Sequence, residues 1–337
     1  MSKQRSRRAF LSALGAGATA GLAGCTGVFG SGGGGGSEAT VLHAGSLAAP
    51  WEEMEAAFEE SHDATVNREA KGSVDSTRKI TEEPHRAAEA LGVSDFRLIR
   101  DMVLPDYGSW YAIFATNAMT VAYTDQSKYA DEFGTDTWYD VLSRDDVNVA
   151  HSDPAADPNG YRSVMSMRLG AETFEGSRLY DEATAQAMED NAVVGTGTES
   201  ALIGQLQSGE LDYAWEYQSA GASHDVQVVD LQPEVDLSKA TSAYAEHYAK
   251  VTVEAGGNSY TGAPIAYGIT VPNTAENPDL GAEWVNFVTG EEGRSIMRDN
   301  GFEPVSPAMA PQSGWSDVPE SVKQHATAQS ALGPLTL

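Results

Sequence analysis

The chain has 337 residues, with 21 basic and 49 acidic side chains and a net charge of −28. Its 41% apolar and 8% aromatic content excludes a disordered chain. At roughly 150 residues per domain, it predicts two lobes, each with its own core. A surface this negative repels phosphate and argues against a nucleic-acid partner.

The acids are spread along the chain, lysine is scarce, and no block of five like charges forms a tail. That pattern suits a halophilic protein kept soluble in concentrated salt, where the Debye length falls to about 3 Å. One cysteine, Cys25, excludes intrachain disulfides, a cysteine zinc cage and a catalytic thiol in the folded part.

Ser6-Arg7-Arg8-Ala9-Phe10-Leu11 has the form of a twin-arginine export signal. The apolar stretch that follows, 10–23, is too short to span a bilayer as a stable helix. Leu22-Ala23-Gly24-Cys25 resembles the lipobox of bacterial-type lipoproteins. Residues 1–24 are therefore expected to be a signal peptide, with cleavage before a lipidated Cys25. Residues 25–39, with Gly32 through Gly36 in a row, read as a flexible tether. The folded body is expected outside the cytoplasm, anchored to the outer face of the cell membrane.

A strand at 40–43 runs through Gly45-Ser46 into a helix whose Trp51, Met54 and Phe58 recur at helical spacing, with Pro50 in the first turn. A second strand, 65–69, turns at Gly72-Ser73 into a helix from about Val74. Residues 110–123 read as one long apolar strand. Asp157 and Pro158 suit N-cap and N1 of a helix burying Tyr161, Val164, Met165 and Leu169. A helix at 199–207 turns Leu202, Ile203 and Leu206 inward and ends before Gly209. Residues 211–217 alternate as a strand, with Tyr213, Trp215 and Tyr217 on one face and Ala214 and Glu216 on the other. Residues 264–272 alternate again, and a last helix follows Pro278. Strands leading into helices through glycine-serine turns predict an α/β fold.

The chain lacks a G-x-S-x-G elbow, an H-E-x-x-H pair, a P-loop and a dinucleotide fingerprint. Its seven histidines are scattered. The positive signal is that Ser46, Ser73 and Asn159 stand at or near predicted helix starts. Free N–H groups and the helix dipole there can hold an oxyanion without lysine or arginine. Serine, aspartate and asparagine are also the ordinary caps of any helix. Glu216, on a strand among aromatic residues, is either a rim carboxylate or a paired buried charge.

Several motifs occur in order: His43-Ala44-Gly45-Ser46-Leu47, Lys71-Gly72-Ser73-Val74, Asp157-Pro158-Asn159-Gly160-Tyr161-Arg162-Ser163 and Leu211-Asp212-Tyr213-Ala214-Trp215-Glu216-Tyr217. Pro264-Ile265-Ala266-Tyr267-Gly268-Ile269-Thr270-Val271-Pro272 and Glu291-Glu292-Gly293-Arg294 follow. As a set this resembles the archaeal-type tungstate/molybdate-binding proteins of ABC importers, over residues 41–307. Residues 81–92 align poorly, and Ser94-Asp95-Phe96 restores the register.

The resemblance implies a two-lobed periplasmic-binding-protein fold of the second type, with crossover strands near 116–123 and 264–270. Lobe 1 would comprise 40–121 plus 267–337, and lobe 2 122–266. It further implies Ser46 and Ser73 as hydroxyl donors, a backbone N–H from Asn159, and an orienting phenol from Tyr217. Asp157 and Glu216 would be the carboxylates that ligate the metal centre. The implied protein is a monomeric receptor with no catalytic activity or cofactor, delivering molybdate or tungstate to an ABC permease. Rival readings are a receptor for sulfate, phosphate or ferric ion, an exported hydrolase, and a structural surface protein.

Overall fold

The computed structural model describes residues 37–195 and 199–337. The export signal, Cys25 and most of the expected tether lie outside the described residues. The first strand begins at Ser37, so residues 37–39 are strand rather than tether.

The fold opens with two strand–turn–helix units, β1 (Ser37–Ala44) into α1 (Ala48–Ser61) and β2 (Ala64–Lys71) into α2 (Ser73–Thr81). Pro50, Trp51, Met54 and Phe58 form the buried face of α1, at the spacing the sequence predicts. β3 (Ala90–Val93) follows. The long apolar run beyond it is two strands, β4 (Ala112–Thr116) and β5 (Met119–Tyr123), broken at Asn117 and Ala118. Asn117 Oδ1 accepts from Ala118 N at 2.9 Å, an alternative to strand pairing that apolar character alone does not reveal.

Next come α3 (Trp138–Leu142), β6 (Val149–His151), α4 (Pro158–Leu169), α5 (Glu182–Asn191), β7 (Ala192–Val194), α6 (Glu199–Ser208) and β8 (Tyr213–Tyr217). α7 (Ala220–Ser223), β9 (Gln227–Val228) and α8 (Ser242–Tyr248) lead to a hairpin, β10 (Thr252–Ala255) and β11 (Asn258–Thr261). The chain closes through β12 (Ala266–Thr270), α9 (Pro278–Thr289), α10 (Glu291–Asp299), β13 (Glu303–Pro311) and β14 (Ala326–Gln329). α9 is therefore not the last element. The prolines at 304, 307 and 311 hide β13 in the sequence. A register shift between Pro304 and Met309 against β4 accommodates them.

Two main sheets organise the described residues. A seven-stranded sheet has the order β14-β13-β4-β12-β3-β1-β2, and a five-stranded sheet the order β7-β6-β8-β5-β9. β1 is parallel to β2 and β3, whereas β12 is antiparallel to β3 and β4. β8 lies between β5, antiparallel, and β6, parallel. The chain changes sheets at Asn117–Ala118 and returns to the larger one at β12, so β5 lies whole in the smaller sheet.

Both β8 and β12 are buried at every position, because neighbouring elements cover both faces. α4 is also buried nearly all round. Arg162, Ser163 and Ser166 are buried, while Val164, expected inward, is only half-buried.

The larger sheet is anchored by aromatic packing. Trp51 of α1 meets Trp284 of α9 edge-on at 5.6 Å between centroids, and Phe58 meets the same ring at 5.3 Å. Trp51→Ala is expected to destabilise the protein by about 3–5 kcal/mol, seen as a lowered urea midpoint with an unchanged denaturant slope.

Candidate functional site

The sequence builds the first wall through a helix start. Asp157 has the extended backbone of an N-cap, and its Oδ1 accepts from Asn159 N at 3.4 Å, with Pro158 at N1. Its other oxygen, Oδ2, is buried without a hydrogen-bond partner among the described residues. The N–H of Asn159, expected to face an anion, is thus turned to Asp157. Asn159 instead presents a side-chain amide, Nδ2, buried and without a partner among the described residues. Its Oδ1 accepts from Ser152 Oγ at 3.2 Å, which fixes that orientation.

The second wall comes from the strand alternation of β8. Ala214 packs against Leu202, Ile203 and Leu206 of α6. Glu216 shares that face one step further along, and α6 begins with an acid, Glu199. Both side chains line one small cavity with Ser46, Tyr217, Ser219 and His224. Glu216 Oε1 and both carboxylate oxygens of Glu199 lack hydrogen-bond partners among the described residues.

The seven-stranded sheet contributes hydroxyls. Ser46 stands in the tight turn between β1 and α1, its Oγ 3.0 Å from the hydroxyl of Tyr267 on β12. Ser73 opens α2, and its Oγ accepts from Ser94 N at 3.0 Å. The next two amides of α2, Val74 N and Asp75 N, donate to the Ala156 carbonyl at 3.0 and 3.3 Å. A Cβ on Gly72 would overlap that same carbonyl, so only glycine allows α2 to approach the residue preceding Asp157.

Arg162 underlies the whole arrangement. It is 1% exposed and donates through Nη1 to the Ser94 carbonyl at 2.9 Å and to the Tyr217 hydroxyl at 2.8 Å. Its Nη2 lies 3.4 Å from Asp95, which also accepts from Tyr161 OH at 2.8 Å and Arg97 Nη2 at 2.6 Å. Burial opposes the charge on Asp95, yet Arg97 and Arg162 hold its carboxyl well below the usual range. Arg162 is thus already paired beneath the cavity.

The acids above it are not neutralised. Burial pushes Asp157 up to about 6, with Arg162 offsetting part of the effect. Burial, followed by the charge of Asp157, holds Glu216 well above the carboxylate range. Glu199 is raised likewise, by burial and then by the charges of Asp157 and Glu216. The three carboxyl groups therefore sense one another. Even so, no three His, Cys, Asp or Glu side chains among the described residues converge tightly enough to hold a metal ion.

The structure brings Ser46, Glu216 and Tyr217 to one cavity, with Asp157 electrostatically coupled to Glu216 and Asn159 beside Asp157. Ser73 reaches Tyr217 through the hydroxyl of Ser94, by contacts of 3.1 and 3.5 Å. Sequence reasoning missed Glu199, Arg162, Ser94 and Tyr267. Only Arg162 carried a usable signal, as the one charged residue within 158–167, between the start of α4 and its last turn. Tyr213, on the same strand face as Tyr217, donates to the Lys128 carbonyl at 2.5 Å, outside the site.

A family model described as bacterial extracellular solute-binding protein matches residues 39–303. A solute-binding protein of Methanoculleus marisnigri, described as uncharacterized, is 38% identical over 308 residues, covering 84% of this chain and 85% of the relative. The molybdate/tungstate-binding protein WtpA of Thermococcus kodakarensis is 34% identical over 308 residues, with 84% and 85% covered. Among solved structures, the sulfate-binding protein SubI of Mycobacterium tuberculosis matches with a TM-score of 0.57 at 14% identity, covering 85% of this chain and 93% of that one. The fold is that of two-lobed, type II periplasmic binding proteins. No helix among the described residues is long and apolar enough to cross a membrane.

The raised Asp157 gives a pH test. The folded, ligand-free protein keeps a proton there that the unfolded chain releases near pH 4. Its contribution to stability is therefore full below about pH 4 and is lost as pH rises through about 6. Asp157→Asn keeps a good cap and removes the titration. It is expected to match the unmodified protein at pH 3 and to exceed it by up to about 3 kcal/mol at pH 7 to 8, measured by urea unfolding.

Proposed function

The chain belongs to the bacterial extracellular solute-binding proteins, and we propose that it captures molybdate or tungstate for delivery to an ABC permease. The pairing of two buried carboxylates, Asp157 and Glu216, is the observation that carries this reading. Facing a tetrahedral dianion such as sulfate, each ionised carboxylate adds repulsion of about 4 kcal/mol per unit of anion charge at 4 Å in a moderately polar site. Facing molybdenum(VI) or tungsten(VI), the same oxygens meet a hard centre able to widen its coordination shell. The pair then attracts the metal oxyanion and rejects sulfate and phosphate by one device. Identity of 34% to a molybdate/tungstate-binding protein supports the same cargo.

In this reading Asp157 and Glu216 ligate the metal, and Ser46 and Ser73 donate to its oxygens from the opposite lobe. Asn159 donates through its side-chain amide, and Tyr217, fixed by Arg162, orients the wall. A ferric site built from tyrosines is disfavoured, because Tyr213 and Tyr217 do not converge. The protein acts as a binding module, as its family does, and as a monomer.

The cavity holds about 10 Å³. That is room for about one water molecule. A larger solute enters only if the parts built on the two sheets separate. We place the lobes at about 37–117 plus 266–337 and at about 118–265, closing about the crossovers; the boundary expected at 121/122 would divide β5, which belongs whole to the smaller sheet. Cys25, lipidated after export, holds the body at the outer membrane face, with residues 25–36 as the tether.

Calorimetry on the purified protein tests the cargo. Tungstate and molybdate are expected to bind, with sulfate at least about 100-fold weaker. Glu216→Ala is expected to abolish measurable tungstate binding. Equal sulfate binding would defeat the assignment. Fractionation tests the anchor: Cys25→Ser is expected to move the protein from the membrane fraction to the medium.

A further inference from the structure

A set of polar contacts crosses between the two sheets without lining the cavity. Asp95 follows β3, whereas Tyr161 and Arg162 belong to α4, on the other side of the lobe boundary given above. Asp95 Oδ2 accepts from Tyr161 OH at 2.8 Å and lies 3.4 Å from Arg162 Nη2. Arg162 Nη1 donates to the Ser94 carbonyl at 2.9 Å. Arg97, beside Asp95, donates through Nη1 to the carbonyl of Thr261, the last residue of β11, at 2.8 Å. Each of these bonds joins one lobe to the other. Asp95, Tyr161 and Arg162 are at most 2% exposed, and none of them lines the cavity.

Each half of this set is also held from its own side. Asp95 accepts from Arg97 Nε at 2.9 Å, Arg97 Nη2 at 2.6 Å and Arg97 N at 3.1 Å. Opposite, the Tyr161 ring stacks on Tyr260 with centroids 4.1 Å apart and planes 12° from parallel. Arg162 donates to the Tyr217 hydroxyl at 2.8 Å. A buried ion pair pulled apart is costly when each charge is left alone. Here each ion keeps a partner within its own lobe. The side chains are in place before the lobes meet, so little rotamer freedom is lost when they do. Duplicate partners of this kind suit a contact that is made and broken.

We propose that Asp95 is a positioning residue for solute capture: with Tyr161 and Arg162 it forms a clasp, made on closure, that holds the lobes over the bound oxyanion without touching it. This rests on the two-lobed receptor and the cargo proposed above. A contact kept alike in free and bound protein cancels from the affinity and appears only in folding stability. A contact made on closure adds to the affinity. Bonds to an ionised carboxylate are the strong ones among side-chain contacts.

The structure also supplies a gauge of closure. Val74 N and Asp75 N lie in the first turn of α2, where amides have no partner in their own helix. Both donate across the boundary to the Ala156 carbonyl. Ser76 N donates to the Gly72 carbonyl at 2.9 Å, within one lobe. Parting the lobes exposes the first two amides and leaves the third bonded.

Tyr161→Phe removes the crossing hydrogen bond and retains the ring that stacks on Tyr260. Asp95→Asn removes the charge. Calorimetric titration of the full-length protein with sodium tungstate is expected to show binding about tenfold weaker in Tyr161→Phe and at least about 30-fold weaker in Asp95→Asn. The double variant is expected to bind within about twofold of Asp95→Asn, because both changes act through one contact. Amide-resolved hydrogen exchange on the unmodified protein is expected to slow at least about tenfold at Val74 and Asp75 when tungstate is added, with Ser76 little changed. Thermal melting verifies that each variant folds. If Asp95→Asn does not fold, Tyr161→Phe and the exchange measurement decide the matter.

Unchanged tungstate binding in Tyr161→Phe overturns the proposal, since the contact then belongs to folding alone. Losses that multiply in the double variant overturn it as well, because the two residues then act separately. So does exchange at Val74 and Asp75 that tungstate leaves unaltered. All three outcomes leave the cargo assignment standing, since the unmodified protein still binds tungstate. If the unmodified protein fails to bind it, the cargo assignment falls and the clasp with it.

Discussion

A guanidinium with almost no access to water, Arg162, sets the terms for everything above it. A charge in that position must be matched within hydrogen-bond reach, and Asp95 matches it from the loop after β3. Once matched, Arg162 has little left to give the acids of the cavity. Its Nη1 spans the two sheets, joining the Ser94 carbonyl of one side to the Tyr217 phenol of the other. Nearly all the positive charge near the site is thus spent on the foundation. Asp157, Glu216 and Glu199 are left buried without a cation of their own, and burial favours their neutral forms until a ligand arrives. A site arranged in this way is poorly disposed to a simple dianion and well disposed to an electrophilic metal centre in an oxygen shell.

The two sheets do unequal jobs in presenting it. The larger sheet delivers hydroxyls and backbone amides from turns that follow β1 and β2. Their position depends on close backbone packing, as at Gly72. The smaller sheet delivers the acids from the end of β8 and from the first residues of α4 and α6. In the proposed reading, donors to oxygen come mainly from one side and ligands to metal from the other, so neither side alone recognises the solute. On that reading recognition requires closure, and the binding free energy can be coupled to bringing the sides together.

Much of the fold was legible because its signals are local. The buried face of α1, the cap at Asp157 and the alternation along β8 each follow from a few adjacent residues. The interrupted strand at Asn117–Ala118 and the proline-bearing β13 were not legible. In the first, a side chain competes with strand pairing, and in the second a register shift absorbs residues that ordinarily end strands. The site divides in the same way. Asp157 and Glu216 stood out through motif and pattern. Glu199 did not, because an acid in the first turn is favourable in any helix. What distinguishes it is that α6 lies on the β8 face bearing Glu216, and no window of sequence encodes that. The motif does not reveal which atom of Asn159 is available: its own N–H is engaged by the cap, and its side-chain amide is the group left without a partner among the described residues.

The depth of the acidic trio has a bearing on habitat. Mobile ions screen charges across solvent, and their reach ends where solvent does. The many carboxylates outside respond to every change in ionic strength, whereas the three buried ones are insulated from it. A receptor of this design can carry a densely acidic exterior and still judge its cargo by the same internal electrostatics at high and low ionic strength.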